Sequence, residues 1–477
     1  MTKIWEQRCS RIFLLIIKLN PFFRLKITID IRKYLLYDEY IECMFDKGGL
    51  MDRVILHSDM NCFYASVEML HHPEFGDRPL AVGGDPEARH GIVLTANYGA
   101  KRRGVKTGMA LWQARKACPE LIFVPPRMDL YLRFSKLAHN IYADYSDMIE
   151  PFGIDESWID VTSSVSALGD GPHVAEQISK RIKHELGLTV SIGISYNKIF
   201  AKFGSDYKKP DAITHITREN YKRIVWGSPV EDLLYVGRAT ERKLRSVGIR
   251  SIGDLATADP DYLKGMLGKM GLILWIFANG EDQTPVSKDN DVSPIKSIGN
   301  STTTPRDLVN DDDVRCVLYL LSESVASRLR DNHFVGRNVG ISVRDNGLFW
   351  FTRQKKIEIP TNISEEIFRQ AMELFKASYS WRHPIRSIGV RVSDLIPDEY
   401  CYQLSLFTDP LMREKQLKAD MAVDMLRNRF GHECIMRGRM YCDRALSGLD
   451  AKAEDHMVHP HSYFEKGNRV GSEEIYG

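Results

Sequence analysis

Two short apolar runs that end in carboxylates constrain this chain more than any other feature. Val54 to His57 is mostly apolar and leads into Ser58-Asp59, which reads as a buried strand with an acid at its C-terminal end. Ile154-Asp155-Glu156-Ser157-Trp158-Ile159-Asp160-Val161 reads as one arm of a hairpin, entered through Pro151-Phe152-Gly153. Between them, Phe63, Val67 and Leu70 recur at helical spacing and predict a helix over 61–70. Leu188 to Ile194 is a third strand, and a helix follows from Asn197 to Asp206 with Lys198, Lys202 and Lys208 on or near it. Strands interrupted by helices imply an α+β layer. Taken alone, such acids are usually just solvated strand ends.

Length and charge narrow the classes. A chain of 477 residues exceeds one ordinary core and implies about three or four domains. Hydrophobic residues at 43% and charged residues at 27% read as globular. The net charge is only +2, so any nucleic-acid contact must come from local patches. Cysteines are scattered from Cys9 to Cys442 without a C-x-x-C pair, which argues against a zinc ribbon or disulfide framework and for a reducing cytoplasm. The run Ile12 to Ile17 is far shorter than the ~20 residues that span a bilayer, and no clean small-residue cleavage site follows it. Lys47-Gly48-Gly49 precedes Met51, and codons for it can spell a bacterial ribosome-binding site. Residues 1–50 therefore read as an extension from a mis-assigned upstream start.

The wording around the acids carries a resemblance. Asp59-Met60-Asn61-Cys62-Phe63-Tyr64-Ala65-Ser66-Val67-Glu68 resembles the first motif of Y-family DNA polymerases. Thr95-Ala96-Asn97-Tyr98 with Gly104-Val105-Lys106-Thr107-Gly108-Met109 resembles their fingers motif. Ile154 to Thr162 resembles the second acidic motif, and Ser191-Ile192-Gly193-Ile194-Ser195-Tyr196-Asn197-Lys198 through Lys202 the third. The motifs follow the family's order and approximate spacing, and the resemblance covers about 51–407.

What it implies is an α+β multidomain fold of palm, fingers, helix-hairpin-helix thumb and β-α-β-β-α-β little finger. The expected work is error-prone, template-directed DNA synthesis in translesion synthesis and repair. The palm would span 51–220 with fingers at about 70–127, the thumb 221–285, a linker 286–295, the little finger 296–396 and a tail 397–477. Two Mg²⁺ ions per active site would be held by Asp59, Asp155 and Glu156, with the backbone carbonyl of Met60 as a further ligand; hard oxygens on rigid strands suit that ion. Thr95, Tyr98, Lys101 and Lys202 would bind the nucleotide, and Tyr64 would be the steric gate that rejects a 2′-hydroxyl. Asn61 stands where many relatives have Asp, Trp158 where they have Tyr or Phe, and Lys101 where most have Arg. Lys keeps the charge at that last position but loses the bidentate fork.

Beyond the palm, Leu233-Leu234-Tyr235-Val236-Gly237-Arg238 leads towards Lys243-Leu244 and Val247-Gly248-Ile249. It resembles a helix-hairpin-helix with Tyr235 in place of the usual first glycine, and Gly237 is the phosphate-binding candidate. Residues 296–392 read from pattern alone as β-α-β-β-α-β. Asp345-Asn346-Gly347 is a hairpin turn, and a helix from Ser364 has that serine as its cap. Arg337, Arg344, Arg353 and Lys355 make a local basic surface suited to the DNA backbone.

Gln403-Leu404-Ser405-Leu406-Phe407 resembles the sliding-clamp peptide of bacterial polymerases, with Gln403, Leu404, Leu406 and Phe407 as contacts. A helix is expected over 411–430, and His456, His459 and His461 lack paired ligands nearby. Expected partners are primer-template DNA, deoxynucleoside triphosphates and the clamp, with no membrane. Two alternatives remain open at this point. One is a UmuC-type subunit that needs a UmuD-like partner; the other is a non-catalytic DNA-binding adaptor of the same fold.

Overall fold

The computed structural model describes residues 52–76, 78–84, 91–289, 294–399 and 409–448. The early-start extension, the peptide 403–407, the three tail histidines and part of the linker lie outside the described residues. The chain divides into two compact units, one taking residues up to Asn61 and Ser135–Asp289, the other Cys62–Phe134 and Asn290 onwards.

The first unit is built on a five-stranded sheet, in the order Ile149–Pro151, Glu156–Asp160, Ile55–Met60, Val190–Ser195, Ile213–His215. The acid-bearing strand is central, antiparallel to both neighbours and buried along its whole length. A strand covered on both faces shows no alternation, which is why its sequence reads as a continuous apolar run. The helix Lys198–Tyr207, capped by Asn197 Oδ1 on Phe200 N–H, lies tight against the sheet. A Cβ at Gly193 would fall 1.9 Å from the carbonyl oxygen of Ala201, so only glycine permits this approach. The closeness brings Lys202 of that helix to the sheet's acidic end, while Lys198 pairs with Glu150.

The remainder of this unit is helical. Leu233, Val236, Leu244, Ile252, Leu255, Leu263 and Leu274 pack with Phe200 and Phe203 into one core. Tyr235 has φ +69°, the left-handed backbone that the missing glycine would adopt freely. The Leu233–Gly237 segment thus makes the expected hairpin turn despite its unusual residue.

The second unit contains a three-stranded sheet, Val93–Ala96, Leu80–Gly83, Ile122–Val124, with the helices Tyr98–Arg102 and Leu111–Ala117. It also contains a four-stranded antiparallel sheet in the order Trp350–Thr361, Phe334–Asp345, Ile385–Pro397, Ser297–Leu308. The helices Asp311–Asp331 and Ser364–Ser378 share one apolar core with this sheet. The chain order is the β-α-β-β-α-β read from sequence.

Two local details differ from the sequence reading. In the turn after Asp345 the left-handed residue is Leu348 (φ +70°), because Asp345 Oδ1 accepts the Phe349 N–H and closes a longer loop. Ser364 is not the cap of its helix: Ile363 holds that position without a side-chain bond. Asp420, from a helix spanning Pro410–Phe430, accepts the Ser364 N–H at 2.8 Å instead. That tail helix lies on the helical side of the four-stranded unit through charge. Arg413 pairs with Glu366 at 2.7 Å, Arg330 with Asp424 at 2.7 Å, and Arg427 with Glu323 at 2.9 Å. Among the described residues no helix is long and apolar enough to cross a membrane.

Candidate active site

The sheet register places Asp59 directly opposite Glu156 on neighbouring strands. Asp155 sits one residue earlier, in the hairpin turn, where its carbonyl accepts the Met60 N–H at 2.9 Å. The expected carboxylates therefore converge at one end of the sheet. Lys202 reaches Asp59 Oδ2 at 3.2 Å and Asp206 Oδ2 at 3.2 Å, and also pairs with Glu156. Lys209 reaches Asp59 Oδ2 at 2.7 Å and Asp206 Oδ1 at 2.8 Å. Sequence reasoning passed over Lys209 and Asp206. For Asp206 the available signal was its i+4 spacing from Lys202 on one helix; Lys209 lies past the helix end and offered no such signal.

Burial pushes the Asp155 carboxyl up to about 7, and the negative charges of Asp59 and Glu156 add to it. Glu156 is raised by burial too, against the pull of Lys202. Burial works to lower Lys202, but Asp206, Asp59 and Glu156 together override it and hold the ammonium charged. Such a carboxylate group needs positive charge. Among the described residues no three His, Cys, Asp or Glu side chains stand gathered for a metal as they are; the ammonium of Lys202 pairs with both Asp59 and Glu156. The carboxylate oxygens are hard donors of the kind a divalent ion takes, and a bound ion would have to displace Lys202 from Asp59 and Glu156.

Support for the acids comes from buried neighbours. Ser205 Oγ donates to the Lys202 carbonyl, so it accepts from His57 Nδ1 at 2.9 Å; that leaves His57 Nε2 without a hydrogen-bond partner among the described residues, 3.6 Å from Glu156 Oε2. Burial, then Lys202 and Lys209, keep His57 neutral by lowering its pKa. Asn61 accepts from Ser191 Oγ at 2.9 Å and is a structural residue. Trp158 is buried, donates to the Lys198 carbonyl at 2.9 Å and lies under the Lys198 ammonium, so the change from Tyr or Phe is a packing substitution. A cavity of about 530 Å³ is lined by Lys202 and Asp206 and by the hairpin residues Tyr235 and Gly237. Gly237 precedes the helix Arg238–Ser246, which no side chain caps.

In the second unit, Tyr64 stacks on Tyr131 with ring centroids 4.4 Å apart. Tyr131 donates to Glu68 at 2.6 Å, and Arg127 pairs with the same buried carboxylate. The gate candidate thus leans on a ring that is itself fixed. Thr95 lies on the strand beside Val82. Asn97 Oδ1 caps the helix that carries Tyr98 and Lys101, and the Lys101 ammonium sits 5.1 Å from the Tyr98 ring centre.

The four-stranded sheet sorts the basic candidates. Arg344 lies opposite Trp350 and Ser387, and is exposed on the face away from the helices. Arg391, opposite Gly340, shares that open face and was missed. Arg353 and Lys355 are opposite the core residues Ile341 and Val339, on the helix side; Arg353 lies over Phe351 and Lys355 pairs with Glu373. Arg337 sits in a bulge between Gly336 and Asn338.

Comparison with known proteins settles the family. The impB/mucB/samB family profile matches residues 58–206, and its C-terminal domain profile matches 295–406. DNA polymerase IV of Acetivibrio thermocellus is 51% identical over 399 residues, covering 84% of this chain and 100% of that one. The chain belongs to the impB/mucB/samB family. DNA polymerase IV 2 of Halalkalibacterium halodurans is 38% identical over 84% of this chain and 98% of its own. A solved Y-family DNA polymerase chimera matches with a TM-score of 0.64 and 25% identity, over 72% of this chain and 99% of that one. The chain is a DinB-like, DNA-directed DNA polymerase of the Y family, of the translesion and repair type, with the palm, fingers, thumb and little-finger architecture. Neither the partner-dependent subunit nor the non-catalytic adaptor is favoured. Membership implies a divalent-metal-dependent polymerase acting on DNA and nucleotides.

Proposed function

We propose that this polymerase extends a primer 3′ end by an error-prone, two-Mg²⁺ mechanism, with Asp59, Asp155, Glu156 and the Met60 carbonyl as the metal ligands. The observation that carries this reading is the gathering of three carboxylates at one sheet end, where Asp59 pairs with Lys202 and Lys209, Glu156 pairs with Lys202, and Asp155 lies buried in the field of Asp59 and Glu156. The bound ions supply Lewis-acid activation of the primer hydroxyl and a hold on the triphosphate.

The protein's own residues do the rest. Lys202 and Lys209 bring positive charge for the phosphates, Tyr98 a hydroxyl donor and Lys101 a further cation beside Thr95. Tyr64, braced by Tyr131, presents a ring where a ribose hydroxyl would collide. The hairpin at Gly237 offers helix N–H groups to a DNA phosphate, and Arg344 gives the little finger a cation on its open face. Arg337 is a weaker candidate because of its bulge position, and Arg353 and Lys355 because they lie on the helix side.

In this reading the palm runs over 51–220 with the fingers at about 70–127, the thumb over 221–285 and the little finger over 296–396. Gln403, Leu404, Leu406 and Phe407 recruit a sliding clamp in the cytoplasm, and no UmuD-like partner is required. Primer extension by the purified chain with Mg²⁺ alone tests the core of this. Extension without any partner is expected, and its absence under conditions where the protein binds DNA overturns it.

A further inference from the structure

A polymerase meets its template unpaired ahead of the primer end, and one surface of this chain has the chemistry to hold unpaired DNA. The helix Leu111–Ala117 is fixed by its apolar side, where Leu111, Ala114 and the following Cys118 are buried. That register turns Trp112, Arg115 and Lys116, at i, i+3 and i+4, to the opposite side. Trp112 is 69% exposed, so most of its indole is left to solvent rather than to the core. Ile92, itself half exposed, pairs with Ala110 just before this helix and extends the apolar surface.

The surroundings are strongly basic. From Thr95 to Val124 the sequence carries Lys101, Arg102, Arg103, Lys106, Arg115 and Lys116 against the single acid Glu120, in a chain whose net charge is only +2. Glu120 is spent on Arg103, at 2.8 Å. Arg115 is held with its guanidinium 5.3 Å from the centre of the Phe123 ring, so a cation stands fixed one turn along from the indole. An exposed aromatic face with cations near it is the chemistry of single-strand binding: bases stack on the ring and the backbone follows the charge.

We propose that Trp112, with Arg115 and Lys116, is a stacking site for the unpaired template strand. Stacking on one ring tolerates any base, so the site holds template without reading its sequence. It acts on DNA binding, separately from nucleotide binding by the Tyr98 and Lys101 pair.

The test is equilibrium binding to primer-templates that carry either a single unpaired template nucleotide or about ten of them, a range that spans one stacking site. Wild-type protein should bind the long overhang more tightly. Trp112→Ala should lose about 5- to 100-fold of that advantage, the range expected for one stacked base. Trp112→Phe should keep most of it, because the phenyl ring still stacks. The double variant Arg115→Ala/Lys116→Ala should lower affinity and reduce the salt slope by about two ions. An overhang advantage equal in wild type and Trp112→Ala overturns the proposal, as does a wild type with no overhang advantage. If Trp112→Ala fails to fold, the same comparison is made with Trp112→Phe against the double variant. A Trp112→Phe overhang advantage below that of wild type by more than the smaller ring explains, or a double variant whose salt slope equals that of wild type, then overturns it.

Discussion

Lys209 and Asp59 form an ion pair of 2.7 Å on an oxygen that Lys202 also approaches, at 3.2 Å. Two ammonium groups thus converge on one carboxylate oxygen of the central strand. Under the proposed function this positive charge beside the acids would meet the triphosphate. Lys209→Ala should therefore reduce kcat/KM for deoxynucleotides by about 10- to 100-fold, the effect of losing one charged contact to a phosphate. Lys209→Arg should recover part of it. Steady-state kinetics decide the point, and unchanged kinetics in the alanine variant would make Lys209 a purely structural counter-ion.

Asp155 should be indispensable to synthesis yet unfavourable to the metal-free fold. Asp155→Asn should lower extension by several orders of magnitude, about 10³-fold or more, while primer-template binding stays near wild type. The same change removes a buried acid crowded by Asp59 and Glu156, so the metal-free protein should melt a few degrees higher, at roughly 2–4 °C per kcal/mol relieved. Extension assays and melting curves on one preparation check both halves.

The raised Asp155 carboxyl gives this a pH signature. Its value moves from an ordinary 3.8 to about 7 in the folded chain, so the folded state holds the proton more tightly than the unfolded state. Its contribution to stability is then full below 3.8 and lost as pH rises through about 7. In the presence of a chelator, the melting advantage of Asp155→Asn over wild type should grow as pH rises towards 8 and shrink as it falls towards 5. Metal must displace that proton, so apparent Mg²⁺ affinity should weaken about tenfold per pH unit below 7. Calorimetric Mg²⁺ titration at several pH values would expose a flat profile.

Tyr64→Ala should retain deoxynucleotide incorporation and gain ribonucleotide incorporation. A collision worth about 3–5 kcal/mol corresponds to roughly 10²–10⁴ in discrimination. The stack on Tyr131 supplies the competing account, a ring kept only for packing. Competitive incorporation of the two sugars separates them: unchanged rejection of ribonucleotides would favour packing.

Replacing Leu406 and Phe407 together by Ala should leave synthesis without a clamp unchanged and abolish its stimulation by a loaded bacterial sliding clamp. Clamp attachment acts through effective concentration at the primer end and leaves the chemistry alone. Processivity with and without clamp, measured beside melting temperature, distinguishes lost recruitment from lost packing.

The acids were legible because each sits at the end of a short apolar run within a long motif. The β-α-β-β-α-β order was legible because helix and strand periods alternate cleanly there. What escaped depends on neighbours across space. Arg391 shares a face with Arg344 only through sheet pairing. Arg353 and Lys355 sit on an edge strand so exposed that its alternation is blurred, and a reading along the chain could not assign their side. The cap on Ser364 comes from Asp420, more than fifty residues away, and local capping rules cannot see it. Lys209 follows the end of its helix, where helical spacing is no longer expected to hold.

The docked tail helix has a mechanical consequence. It reverses the usual polarity, presenting Arg413, Asp420, Asp424 and Arg427 to the domain while Met421, Met425 and Phe430 stay exposed. The strand that ends at Pro397 and the helix that begins at Pro410 both belong to this domain, so the chain between them is tethered at each end. A partner that grips residues 403–407 therefore takes hold of a bridge with two abutments rather than a leash with one. A leash limits only distance; nine residues held at both ends, which can reach at most roughly 30 Å, would limit rotation too. The grip would fix the heading of the little finger on its partner as well as its nearness.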